Sequence, residues 1–346
     1  MSDRIGIVAI GRNEGERLRA CLTSAVATGS PVVYVDSGSS DDSVAIAEGL
    51  GVRVVHLDPA GGFTAGKARN LGIAALTEDA SPDFIQVVDG DCEFAPGWIA
   101  AAQAALTADS GLAVVAGRLR ERFPGATIFN RQCDMEWNLP IGPVRAVGGI
   151  AMYRTAALTQ TGGFNPALIC GEEPELCHRL RALDWKVARI DAEMALHDAA
   201  ITRWSQWATR ARRNGWAYAE GAATHGATAE RYNIREVRSL RIWGGVYPAA
   251  LAGLAALALI LGLAGGSLWV WPLIGLGLGL SGGALMALRI ARYRRAKFGD
   301  PWPHAALYGA LVMLGKPFQF LGTRTYARTK ARGETARIIE YKGAAQ

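Results

Sequence analysis

The stretch "VVDGDCEF", Val87–Phe94, ends an apolar run with two carboxylates, Asp89 and Asp91, one residue apart. In an extended backbone residues i and i+2 point to one face, so both acids stand on the same side of the strand end. Two like charges held together cost free energy unless water or a cation separates them. A hard divalent cation, Mg2+ or Mn2+, suits oxygen ligands of this kind and also accepts substrate phosphates as ligands. The pair is therefore either two solvated turn acids or a metal site, and its surroundings in the chain must discriminate.

Working outward, the flanking sequence alternates short apolar runs with helical patterns. "RIGIVAI" (4–10) empties into "GRNEG", and "ERLRACLTSAV" follows with helical periodicity. "PVVYVDSGSSDDS" ends in an acidic, Ser-rich loop, "VAIAEGLG" closes on Gly, and "VRVVHL", "TAGKARNLGIAAL" and "DFIQVVDGD" complete a βαβαβαβ order. That order predicts an α/β domain with a mostly parallel sheet and helices on both faces. Ligands of such sheets collect at the carboxyl ends of strands, where Asn13–Glu14, Asp36–Ser37 and Asp89–Asp91 fall. Beyond Asp91, "PGWIAAAQAAL" reads as a helix, "GLAVVAGRL" as a strand and "VRAVGGIAMYRTAAL" as a strand-like run holding a Gly pair. "GEEPELCHRLRALDW" reads as an amphipathic helix with Leu176, Leu180 and Leu183 on one stripe, and "KVARIDAEMALHD" as a strand ending near His197.

The 346 residues carry a formal net charge of +6, are 50% apolar and have a mean hydropathy of +0.12. The basic balance fits phosphates or an acidic membrane face; a nucleic-acid partner is not expected. Five cysteines lack a framework spacing, and Cys170 and Cys177 lack the second pair a zinc site needs. The first residues show no signal-peptide pattern, so the N-terminal part is expected in the cytoplasm.

The apolar excess follows Tyr247. Segments of about 247–264 and 268–288 each approach the roughly 20 residues needed to span a bilayer, joined by a short Gly-Ser turn. Trp243, Tyr247, Trp269 and Trp271 lie where interfacial aromatics belong, and "RIARYRRAK" after the second span places that side in the cytoplasm by the positive-inside rule. The expected organisation is a catalytic domain over 1–235 and a transmembrane hairpin within 236–288. A basic cytoplasmic loop and tail over 289–346 would hold an interfacial or re-entrant helix near 304–322.

Other candidate residues have competing readings. Asp36 ends the second strand and either accepts hydrogen bonds from a base or ribose or caps the next helix. Glu172 and Glu173 open a helix, where acids favour the dipole, or one of them is a general base whose pKa its neighbour raises. His197 is either structural or a third ligand for the Asp89–Asp91 metal. "RARRNGWAYAEG" is either a solvated helix face or a place where Arg210, Arg213 and Trp216 hold a diphosphate and stack on a sugar.

Taken together, "RNEGERL", "VDSGSSDDS", "GKARNLG", "VVDGDCEF", "GGFNPALICGEEPELCHRLR" and "RARRNGW" resemble the family 2 glycosyltransferases of the GT-A fold, membrane-attached bacterial type, over about residues 4–220. The resemblance implies that Arg12, Asn13 and Glu14 line a nucleotide-sugar, that Asp36 meets the base, a uracil, and that Lys67 and Arg69 lie near the nucleotide and phosphates. It implies Asp91 as the firmer metal ligand with Asp89 and His197, and Gly148–Gly149 as the turn that lets the donor sugar approach the backbone. Glu173 becomes the catalytic base, with Glu172 as fallback, because the usual Glu-Asp pair reads Glu-Glu here. The implied reaction inverts the anomeric centre and moves a sugar from a UDP-sugar to a hydroxyl of a polyprenyl-diphosphate-linked acceptor in surface polysaccharide synthesis at the inner membrane. A polyprenyl-phosphate sugar synthase and a non-catalytic nucleotide-binding scaffold are the alternatives. A processive synthase fits less well, since such enzymes need several spans and a Gln-x-x-Arg-Trp motif.

Overall fold

A computed structural model describes residues 4–58, 62–79, 81–265 and 267–334. They form two compact units that divide after Ile201, earlier than the boundary at 235 read from sequence.

The first unit is built on one sheet. Its strands are β1 (Ile5–Gly11), β2 (Val32–Asp36), β3 (Arg53–His56), β4 (Phe84–Asp89), β5 (Cys92–Phe94), β6 (Leu112–Glu121), β7 (Gly142–Pro143), β8 (Ala151–Arg154) and β9 (Lys186–His197). Their order is β3-β2-β1-β4-β8-β6-β9-β5, with β7 added to β9. The first four pair in parallel, as the βαβ pattern requires; β8 and β5 run antiparallel to their neighbours, and β6 pairs β9 in parallel. The parallel reading thus holds for the first half of the sheet, and the second half is mixed. Strands β1 and β4 are buried along nearly their whole length, which is why they read as unbroken apolar runs rather than alternating ones. The edge strand β3 exposes Arg53 and His56, charged or polar residues that discourage pairing with another chain.

Among the described residues, seven α-helices accompany the strands: α1 (Glu16–Val26), α2 (Ser43–Gly49), α3 (Ala65–Asp79), α4 (Trp98–Ala108), α5 (Ile128–Trp137), α6 (Thr155–Thr161) and α7 (Glu172–Ala182). Leu18, Cys21 and Leu22 of α1, Ala68 and Leu76 of α3, and Leu176 and Leu180 of α7 join the strand residues in one core. Helix α3 lies so close on β1 that a Cβ at Gly72 would collide with the Val8 side chain. Leu183, expected on the apolar stripe of α7, caps the helix and is exposed, because the helix stops one turn short. Helix α5 has no counterpart in the sequence reading. All five cysteines are buried, and none forms a disulfide.

The second unit is helical: α8 (Trp204–His225), α9 (Ile234–Leu240), a π-helical turn at Arg241–Val246, α10 (Tyr247–Leu263), α11 (Val270–Phe298) and α12 (Trp302–Ala331). The runs Ile234–Leu263 and Val270–Phe298 are long and apolar enough to cross a membrane, and Leu259, Leu263, Leu278 and Leu280 face outward. Within this hairpin the Tyr247 hydroxyl donates to Gly279 O across 2.9 Å. Residues 289–298, expected as the start of a basic loop, continue α11 as helix. The third apolar stretch lies within α12, one uninterrupted helix of 30 residues that continues through Pro317. It packs on α8 through glycines: a Cβ at Gly215 would strike Gln319 O, and one at Gly322 would strike Arg212 O. Small residues at such crossings let two helix backbones meet.

Candidate active site

The carboxyl ends of β1, β2 and β4 carry the polar clusters that the sequence placed there. The first two loops are sewn into one rim. Asn13, at φ 57°, donates its backbone N–H to Ser39 Oγ (2.9 Å) and accepts from Ser40 N–H (2.7 Å). Glu14 N–H donates to Ser43 Oγ (3.1 Å). Asp36 is buried and organises the second loop, accepting from Gly38 and Ser39 N–H at 3.0 Å and from the Tyr34 hydroxyl at 3.1 Å. It does not cap α2, whose N-cap is Asp42; its Oδ2 holds an Asx-type turn and its Oδ1 the Tyr34 hydroxyl. Arg12 is exposed and lies over the Phe63 ring at 5.2 Å. Lys67 Nζ donates to Gly62 O (3.2 Å).

Arg69, expected near the nucleotide and phosphates, is buried, and its guanidinium faces acids. One terminal nitrogen lies 2.9 Å from Asp89 Oδ1; the other lies 2.7 Å from Glu172 Oε1 and 2.9 Å from Glu173 Oε1. Burial alone would lower the Arg69 pKa, but Glu173, Asp89 and Glu172 outweigh it and hold the cation charged. Gly149 closes this cluster: a Cβ there would come within 2.5 Å of Asp89 Oδ2 and 2.9 Å of Arg69 Nη2, whereas one at Gly148 would meet nothing. The close approach the Gly pair provides is thus to Asp89 and Arg69, and it falls on Gly149 alone.

Glu172 and Glu173 occupy the first turn of α7 behind Gly171, whose φ of 80° starts the helix there. Burial, then the charge of Glu172, raises the Glu173 pKa to about 7, while Arg69 pulls it down. Burial likewise raises Asp89, and Arg69 opposes that shift.

Asp91 behaves otherwise. It is buried, and its Oδ2 lies 3.1 Å from His197 Nε2. The antiparallel register of β5 on β9 sets Cys92 opposite His197 and brings the imidazole to Asp91. Among the described residues Asp91, Cys92 and His197 form a group whose ligand atoms lie within 4.8 Å of one another. One carboxylate and one imidazole suit a divalent cation with open positions for phosphate oxygens, whereas the Cys92 thiol, which donates to Asp91 Oδ1 at 3.3 Å, is too soft a ligand for Mn2+ or Mg2+. Asp89, by contrast, is engaged with Arg69. Sequence reasoning passed over Cys92, although it stands inside the opening motif, and over Trp137, whose ring stacks on His197 with centroids 4.5 Å apart.

Arg210, Arg213 and Trp216 belong to α8 in the second unit. Trp216 is buried, its ring edge-on to Tyr326 and its N–H donated to Glu220 Oε2 at 2.9 Å. It does not present an open face to a sugar, which corrects its reading as a stacking platform. Arg210 and Arg213 are half-buried on the same helix.

Residues 7–157 match the family described as Glycosyl transferase family 2. The pre-mycofactocin glycosyltransferase of Mycobacterium tuberculosis is 26% identical over 307 residues, covering 84% of this chain and 57% of that protein; this chain spans little more than half the length of that relative. An uncharacterized glycosyltransferase of the same organism is 29% identical over 196 residues, or 55% of this chain and 84% of the relative. Among solved structures, a mannosyltransferase from Pyrobaculum calidifontis, in complex with GDP-Man and Mn2+, shares the fold with a TM-score of 0.59 at 17% identity, covering 93% of this chain and 88% of that one. Residues 7–157, somewhat under half of the chain, thus match the family 2 glycosyltransferase model, and the fold is shared with that mannosyltransferase.

Proposed function

We propose that this protein is an inverting glycosyltransferase that moves a sugar from a nucleotide-sugar, a UDP-sugar by the sequence reading, to a hydroxyl of a lipid-linked saccharide at the cytoplasmic face of the inner membrane. The observation that carries the reading is the Asp91–His197 pair, 3.1 Å apart at the end of the parallel strands. Asp91 and His197 would hold Mn2+ or Mg2+, and the ion, when bound, supplies positive charge to the diphosphate leaving group. Glu173, with a pKa of about 7, takes the proton of the acceptor hydroxyl. The acceptor oxygen bonds to the anomeric carbon as the bond to the diphosphate oxygen breaks, and the nucleotide leaves with that electron pair. One displacement of this kind inverts the centre.

The apolar hairpin α10–α11 supports a membrane acceptor, since a soluble donor requires no anchor. A polyprenyl-diphosphate-linked sugar, an intermediate of surface polysaccharide, fits that placement. A second reading, a polyprenyl-phosphate sugar synthase, is favoured by the 2.9 Å ion pair of Glu173 with Arg69, which engages the base candidate; a phosphate acceptor needs no base.

The test is a screen for nucleotide release with UDP- and GDP-sugars against lipid-linked saccharides, bare polyprenyl phosphate, pre-mycofactocin and water-soluble sugars. Turnover on the lipid-linked saccharide above the soluble sugar supports the proposal. Equal turnover on both removes the reason for the anchor.

A further inference from the structure

We propose that α5 braces the cation-binding imidazole, and that Trp137, by stacking on His197, is a positioning residue that sets the affinity for the divalent cation. The inference rests on reading Asp91 and His197 as cation ligands. Torsion about χ2 of histidine is broad rather than confined to sharp wells, so an imidazole that must aim Nε2 at Asp91 needs a wall beside it. Trp137 provides one: the two rings lie 4.5 Å apart and 19° from parallel.

The rest of α5 holds the backbone that carries His197. Thr127 caps the helix by accepting from Asn130 N–H and donates its hydroxyl to Ile201 O at 2.8 Å. Asn130 Oδ1 accepts from Ile201 N–H (3.2 Å), and its Nδ2 donates to Glu121 Oε1 (3.0 Å). The other oxygen of Glu121 accepts from Ala199 N–H at 2.9 Å. His197 O accepts from Arg122 N–H at 2.9 Å. Segment 197–201 is thereby tied at both ends to one ten-residue helix, Thr127 and Asn130 at its start and Trp137 at its last position. Ala200 within the segment sits at φ 49°, a left-handed conformation that a non-glycine residue holds only when its neighbours enforce it. Glu121 is buried, and its acceptors are filled by these donors. A group that orients a metal ligand from behind typically changes metal affinity by about ten- to a hundredfold when removed.

The experiment measures Mn2+ binding to the full chain in detergent without any donor, by the electron paramagnetic resonance of the free ion. Three variants are compared with the parent: Trp137→Leu fills the space without a flat ring, Trp137→Phe keeps a ring, and His197→Ala removes the ligand. The expected result is a Kd raised about ten- to a hundredfold for Trp137→Leu, near the parental value for Trp137→Phe, and binding lost for His197→Ala. Parental affinity in Trp137→Leu, or equal weakening in Leu and Phe, overturns the brace while His197→Ala still reports a cation site. Parental binding in His197→Ala overturns the cation reading itself. If Trp137→Leu does not fold, 5-fluorotryptophan labelling of the parent decides. The resonance missing from Trp137→Phe should broaden among the first on adding Mn2+, and its persistence overturns the proposal.

Discussion

Arg69 and Glu173 face each other at 2.9 Å in the first unit, and the same guanidinium reaches Asp89 at 2.9 Å. A single buried cation thereby joins the acid that ends β4 to the acids that open α7. Removing one partner of a buried ionic group leaves the other charges uncompensated, at a cost of about 3–5 kcal/mol.

Arg69→Met is expected to lower the unfolding free energy by about that amount and to abolish turnover, because three acids are left without their cation. Denaturant unfolding of the variant against the parent checks this. A loss below about 1 kcal/mol contradicts the hub.

Glu173 gives a signed pH dependence. Its pKa is raised to about 7 chiefly by burial, and the base form is the ionised one, so kcat/KM should fall about tenfold per pH unit below 7 and level off above it. For stability the sign is opposite. The folded pKa lies above the unfolded carboxylate value, so the contribution is full below about 4.5 and is lost as pH rises through 7. Glu173→Gln, neutral at every pH, should therefore lose about 10²- to 10⁴-fold in turnover and should lack the fall in unfolding midpoint that the parent shows as pH rises through 7. Full activity of Glu173→Gln on a phosphate acceptor would select the synthase reading instead.

The Gly pair separates cleanly. Gly149→Ala sets a Cβ 2.5 Å from Asp89 Oδ2 and should cost most of the activity, whereas Gly148→Ala meets nothing and should retain it. Steady-state rates of the two variants decide, and equal rates would show that the crowding at Asp89 is without consequence.

In the second unit, the Cβ of Gly322→Ala would strike Arg212 O, while that of Gly253→Ala meets nothing within 4 Å. The first should destabilise the α8–α12 packing and the second should not. Thermal unfolding in detergent, read by circular dichroism, distinguishes them.

Much of this was legible in the sequence because the strands β1, β2 and β4 are buried on both faces and so print as continuous apolar runs with polar ends. The hairpin was legible by length and composition. Helix α5 was not: "IFNRQCDMEW" mixes buried Asn130 and Gln132 with apolar residues and shows no clean stripe. The roles of Arg69 and Trp216 were hidden for a different reason. The Arg of "KARN" and a Trp in a basic run both read as ligand-binding groups, and only tertiary packing shows that Arg69 also pairs with Asp89, Glu172 and Glu173 and that Trp216 is buried against Glu220 and Tyr326. His197 and Asp91, over a hundred residues apart, meet only through the β5–β9 register.

The central claim, that Asp91 and His197 rather than Asp89 hold the cation, is tested most directly by Mn2+ affinity in Asp91→Asn and Asp89→Asn, measured side by side with no donor present. Asp91→Asn is expected to lose binding, and Asp89→Asn to keep it while unfolding at lower denaturant because Arg69 loses a partner. Undiminished Mn2+ binding in Asp91→Asn would contradict the account.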